Sequence, residues 1–180
     1  MKIVFLNGPP RCGKDTAGNI LQGSAGYRVA KFAEILKERT HALYGKHLPH
    51  HAFEEEKDQP SGFFLGATPR AAYIAVSERL MKPLHGEDVF GRLLLEHIRP
   101  MAVLRLTGIA ITDSGFAAEA APIVQWAGAA QCRLIRIHRE GCTFAGDSRG
   151  YIELPGVRTV EVVNPGNRAG FTKLLLEAIQ

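Results

Sequence analysis

The sequence has no apolar run long enough to cross a bilayer, no block of lysine and arginine, no internal repeat and no cysteine pair in metal-binding spacing. The first absence argues against a membrane role, because about 20 consecutive apolar residues are needed to span the hydrocarbon core. The second argues against nucleic acid as a partner. The formal charge of +4 comes from 22 Lys+Arg against 18 Asp+Glu spread along 180 residues, an excess that small phosphorylated ligands are enough to explain. The three cysteines, Cys12, Cys132 and Cys142, are odd in number and fit neither a disulfide framework nor a zinc site. With no signal-peptide pattern they are expected to be free thiols in a reducing cytoplasm.

With 46% apolar residues, the chain is read as one domain over 1–180 with a sizeable core. The apolar run Ile3-Val4-Phe5-Leu6 reads as a buried strand leading into Gly8-Pro9-Pro10-Arg11-Cys12-Gly13-Lys14, followed by Asp15 and Thr16. Strand, G-x-x-x-x-G-K and helix in that order form a phosphate-binding loop, whose amides and helix N-terminus face a phosphate while Lys14 neutralises β/γ charge. Pro9 and Pro10 have no N–H, so the cradle falls to the amides of Arg11, Cys12, Gly13, Lys14, Asp15 and Thr16. Asp15 stands where most such loops carry Ser or Thr. It suits a Mg²⁺-facing position, and it equally suits a first-turn acid favoured by the helix dipole. Thr16 can offer its hydroxyl to an α-phosphate.

Further along, Tyr27 to Phe32 reads as a short strand and Ala33 to Tyr44 as a helix. The polar stretch from Lys46 to Gly66 reads as a loop or cap outside the core. Thr68-Pro69-Arg70 opens a helix with Thr68 as N-cap, leaving Arg70 in the exposed first turn. A break at Pro83 to Gly86 precedes a helix from Asp88 to Ile98. Gly108 to Asp113 is an apolar strand ending in an acid, placed to serve Mg²⁺, an acceptor, or simply an Asp-Ser-Gly turn. Helix (Phe116 to Ala127), strand (Arg133 to Ile137), strand (Val160 to Val163) and helix (Arg168 to Ile179) complete the pattern. The expected fold class is α/β: a P-loop NTPase fold with a five-stranded parallel sheet flanked by helices and ligands at the strands' carboxyl ends. Arg139 and Arg149 flank a glycine-rich segment suited to a lid at 139–156, with cations for a transferring phosphoryl group. His138 and the His50-His51 pair read as surface histidines.

The opening M-K-I-V-F-L-N-G-P-P-R-C-G-K-D-T resembles the bacteriophage deoxynucleoside monophosphate kinases, within the nucleoside monophosphate kinase-like P-loop proteins. The resemblance continues in Phe32-Ala33 with Lys37, Thr68-Pro69-Arg70, Ile111-Thr112-Asp113-Ser114 with Glu119, His138-Arg139-Glu140-Gly141 and Asn164-Pro165-Gly166. It implies Mg²⁺-dependent transfer of the ATP γ-phosphoryl group to a (deoxy)nucleoside monophosphate. It further implies that Gly8, Arg11, Cys12, Gly13, Lys14, Asp15 and Thr16 hold ATP, and that Asp15 and Asp113 serve the metal. Phe32, Lys37, Arg70 and Asp113 would line the acceptor site in a helical region over 33–100, and Arg139 and Arg149 would be lid cations. Partners would be small nucleotides and, at most, a second copy in a homodimer; the setting would be a cytoplasm, that of the host for a phage protein. Relatives often carry Arg two positions after the strand-ending Asp. This chain has Gly115 there, so one phosphate contact is missing or comes from elsewhere. Two other readings stay open: a kinase of another phosphorylated small molecule, since animal phosphomevalonate kinase also has G-K-D, and a nucleotide-binding module without transfer activity. The arginines of the lid favour a kinase over a module that only binds.

Overall fold

The computed structural model describes residues 1–104 and 106–180. Five parallel strands form one sheet in the order β2-β3-β1-β4-β5: β1 (Lys2–Asn7), β2 (Tyr27–Ala30), β3 (Gly108–Ile111), β4 (Cys132–His138) and β5 (Arg158–Val163). In-register pairs such as Phe5 with Ile111 and Phe5 with Leu134 put β1 at the centre. All carboxyl ends then emerge on one edge, where the chain after β1 and the chain after β3 turn apart.

Side chains alternate between the two faces of β1. Ile3 and Phe5 enter one core layer with Ile109, Ile111 and Leu134. That layer is closed by α2 (Phe32–Leu43), α5 (Val89–Ile98) and α6 (Ala117–Ala127), which contribute Ile35, Phe90, Leu94 and Ile123. Val4 and Leu6 enter the opposite layer, where α1 (Lys14–Ala25) supplies Ala17, Ile20 and Leu21 and α7 (Arg168–Ala178) supplies Phe171 and Leu175. Burial on both faces is why the strands read as continuous apolar runs.

Three local expectations change. The second strand stops at Ala30, and Phe32 opens α2, because Asp113 accepts the Phe32 and Ala33 amides and starts the helix there. The break expected over Pro83 to Gly86 falls only at its end, at Gly86, and Pro83 itself does not interrupt the helix. The helix α3 (Pro69–Ala75) runs through a π-helical turn, Val76–Met81, into α4 (Lys82–His85), and the wider turn accommodates the donor that Pro83 lacks. The segment 46–66 is not purely surface. Phe64 is buried, and with Phe53 and Phe63 it surrounds the fully buried His41 of α2. His41 bonds the Leu48 carbonyl at 3.0 Å and the Tyr73 hydroxyl at 2.9 Å, so this satellite core ties the cap to α2 and α3.

Candidate nucleotide-binding site

The loop between β1 and α1 is built around its glycines. A Cβ on Gly8 would lie 2.5 Å from the Ile137 carbonyl oxygen, so the loop's close approach to β4 requires glycine. Gly13 has φ 108° and a Cβ there would meet Asn164 Nδ2 at 2.6 Å, so both conformation and space demand glycine. Arg11 also takes a left-handed φ of 64°, which an ordinary residue adopts only when its surroundings impose it. From the chain after β5, Asn164 Nδ2 donates to the Cys12 carbonyl at 2.8 Å and braces the turn.

The first helical hydrogen bond runs from Ala17 N–H to the Gly13 carbonyl, so the amides of Gly13, Lys14, Asp15 and Thr16 are left for a ligand. The Cys12 amide is directed inward to the Pro9 carbonyl at 3.3 Å, and the Cys12 side chain is fully buried. Lys14 Nζ donates to the Gly8 and Pro9 carbonyls at 2.6 and 2.8 Å. Burial, and then the positive charge of Arg149, push the Lys14 amine below the usual lysine range. A lysine and unpaired amides at a helix N-terminus are the arrangement that suits a phosphate.

Asp15 is held from two sides. Lys31 Nζ lies 2.8 Å from its Oδ1, and the Thr112 hydroxyl donates to the same oxygen at 3.3 Å. Burial opposes its ionisation, but the Lys31 and Thr112 contacts outweigh that and keep the carboxyl below the usual aspartate range. Asp113 is placed differently. Its two oxygens accept the Phe32 and Ala33 amides at 3.0 and 2.8 Å, so it caps α2. Burial pushes its pKa up against the pull of those amides. Among the described residues there is no cluster of three or more His, Cys, Asp or Glu able to hold a metal by themselves. The residues nevertheless fit Mg²⁺, which characteristically binds through one or two carboxylates and the substrate's phosphates; the largely exposed Asp15 carboxylate can serve in that way.

The residues expected to line an acceptor site are distributed over α2 and α3. Phe32 is buried in the core layer beneath α2 and braces the wall from within. Lys37 pairs with Glu54. Thr68 caps α3 by accepting the Ala71 amide at 3.1 Å, and Arg70 projects from the first turn onto Asp58. At the lid, Arg139 reaches the Arg11 carbonyl at 3.3 Å, and Arg149 is clasped by Asp147, whose pKa falls to about 2 chiefly through that bond. His138 is not isolated: it bonds the Tyr151 hydroxyl at 2.8 Å and Glu161 at 2.6 Å.

Three residues beside these groups escaped the sequence reading. Lys31 gave no signal beyond its position just before α2. Asn7 is buried at the end of β1, donating to the Ser114 and Gly150 carbonyls at 2.8 and 3.0 Å and accepting the Ile152 amide at 3.1 Å. A polar residue ending an apolar strand beside the glycine turn was the available clue. Glu119, noted only as part of a motif, is buried with its pKa raised to about 7, by burial first and by Asp113 second.

No family model matches the chain, and no curated protein sequence matches it significantly. Solved structures do. An unliganded sugar kinase from Janibacter sp. HTCC2649 superposes with TM-score 0.57 at 10% identity, over 99% of this chain and 94% of that one. Dephospho-CoA kinase from Campylobacter jejuni gives TM-score 0.51 at 14% identity, over 100% of this chain and 96% of that one. The chain therefore shares the fold of these two kinases. No helix among the described residues is long and apolar enough to cross a membrane.

Proposed function

We propose that the protein transfers the γ-phosphoryl group of ATP to a (deoxy)nucleoside monophosphate, in the manner of the phage-type kinases that its motifs resemble. The observation that carries this reading is the phosphate loop itself, in which the backbone amides opening α1 are left without helical partners and Lys14 folds back over the Gly8 and Pro9 carbonyls, with the charge of Arg149 felt at the lysine. An anion between the two cations relieves their repulsion, and a transferring phosphoryl group is such an anion.

In this reading, the loop amides and Lys14 hold the donor's phosphates, with Arg139 and Arg149 as further cations. Asp15 would hold Mg²⁺, which when bound would supply the charge that neutralises the β- and γ-phosphates. Lys37 and Arg70 orient the acceptor phosphate. An oxygen of that phosphate forms a bond to the γ-phosphorus while the bond to the β–γ bridging oxygen breaks, giving ADP and a nucleoside diphosphate. A phosphate acceptor is already anionic, so it needs no general base. The commitment of Asp113 to the α2 cap is compatible with that, whereas a hydroxyl acceptor would call for a free base. The dispersed cations of α2, α3 and the lid thus favour a phosphorylated acceptor.

The test is a coupled assay with ATP, Mg²⁺ and each monophosphate in turn. At least one monophosphate should stimulate ADP release. ATP binding with no stimulation by any of them would overturn the reading.

A further inference from the structure

The structure assigns Arg149 as a cation set in place before any ligand arrives, admitted by Gly115 and held by Asp147; this rests on the kinase reading above and specifies how its site is built. Gly115 follows Asp113 by two residues, where relatives often carry arginine. Its backbone is not left-handed, so freedom of φ is not what requires glycine there. Space is. A Cβ at 115 would lie 2.4 Å from Arg149 Cδ and 2.8 Å from Cγ, because the arginine stem crosses directly over the glycine. A cation carried by the segment after β4 is thereby laid over the loop that follows β3.

Arg149 is also fixed from its own side. Asp147 accepts its backbone amide at 3.0 Å, Nε at 2.8 Å and Nη2 at 2.6 Å. The next residues are stitched to the sheet: Asn7 holds Gly150 and Ile152, and the Arg136 guanidinium donates to the Ile152 carbonyl at 3.1 and 2.6 Å. A segment anchored at 150 and 152, in which Asp147 clasps residue 149 directly, does not need to close in order to deliver the arginine. The guanidinium has five N–H donors and Asp147 takes two, so donors remain for a phosphoryl group. Lys14, Asp113 and Glu119 are the charged groups that share its surroundings. Asp147 and Gly115 are positioning residues. Arg149 is the group that would meet the phosphoryl oxygens, so its loss should act on kcat more than on either KM.

The experiment begins without nucleotide, on the full chain. The Arg149 Nε–H resonance should exchange slowly in the ligand-free protein and change little when a non-hydrolysable ATP analogue is added. Protection that develops only with the analogue would overturn a pre-set arginine. Gly115→Ala should lose that protection while keeping the backbone amide spectrum. Asp147→Asn, which leaves residue 115 untouched, should lose it too; retention by either variant removes that residue from its part. With the best monophosphate acceptor, Gly115→Ala and Arg149→Ala should each lower kcat on the order of 100-fold, and the double variant should be no slower than Arg149→Ala. Losses that multiply would show that residue 115 acts independently of the arginine. Failure of the kinase reading looks different: wild-type protein turns over no monophosphate, while the ligand-free exchange result stands.

Discussion

Both carboxylate oxygens of Asp58 hold Arg70, Oδ1 at 2.5 Å from Nε and Oδ2 at 3.1 Å from Nη2. Glu54, four residues earlier, holds Lys37. One short acidic stretch therefore occupies both cations proposed for the acceptor phosphate, and an incoming phosphate has to displace it. Asp58→Asn is expected to lower acceptor KM by about 1.5- to 5-fold, the range for an exposed ion pair. Arg70→Ala should raise acceptor KM by roughly 100-fold and leave ATP KM nearly unchanged. Steady-state kinetics with both substrates varied would check this, and equal changes in the two KM values would remove Arg70 from the acceptor site.

Lys14→Ala should lower kcat/KM by about 1000-fold, because it deletes the loop's own cation from the charged transition state. Asp15→Ser is expected to keep activity within roughly tenfold, since a hydroxyl there supplies the oxygen that most such loops present to Mg²⁺. A loss as large as that of Lys14→Ala would show that the carboxylate's charge is needed. Lys31→Met should raise the Asp15 carboxyl pKa by removing its nearest cation. A carbon-13 titration of the Asp15 side chain showing no movement would dismiss the pair.

Asp113 caps α2 with both oxygens, so its substitution should first be felt in stability. Asp113→Ala is expected to cost about 1–2 kcal/mol by urea unfolding, the usual range for a lost N-cap. Asp113→Asn should recover part of this through its single carbonyl oxygen. Unchanged stability with a collapse of kcat would instead place Asp113 in the chemistry.

Glu119 has a folded pKa of about 7 against an ordinary value of 4.5. The unfolded chain releases this proton at lower pH than the folded one, so the side chain destabilises the fold progressively as pH rises from 4.5 to 7. Above that range the penalty is constant. Glu119→Gln, neutral at every pH, should leave stability unchanged below pH 4.5 and raise it by about 3 kcal/mol above pH 7. Unfolding curves at pH 4.5 and pH 8 check the sign. A variant that gains equally at both would show that ionisation is not the cause.

How far the site was legible depended on whether its residues announce themselves locally. The phosphate loop was readable because glycine spacing, a preceding apolar run and a following helix are short-range properties. The α3 cap was readable for the same reason: Thr68-Pro69 fixes a helix start regardless of what surrounds it. Lys31, Asn7 and Glu119 were not readable as site residues. Lys31 and Asn7 matter through partners 16 and 143 residues away, Asp15 and Gly150, and Glu119 through the burial that the packed helices impose on it; nothing in a local pattern marks any of these. The 46–66 segment misled in the opposite sense. Its polar composition hid Phe53, Phe63 and Phe64, which become a core only when His41 and Tyr73 are brought beneath them.

The sequence by itself determined a five-stranded α/β architecture and a phosphate loop opening α1, because strand burial, helix periodicity and glycine geometry are each encoded within a few adjacent residues. Tertiary structure alone decided which charges meet: Asp15 with Lys31, Arg70 with Asp58, Asp113 with the amides of α2, and Arg149 over Gly115. The physical reason is range. Backbone conformation answers to its neighbours in the chain, whereas a charge answers to whatever the fold places within a few ångströms of it.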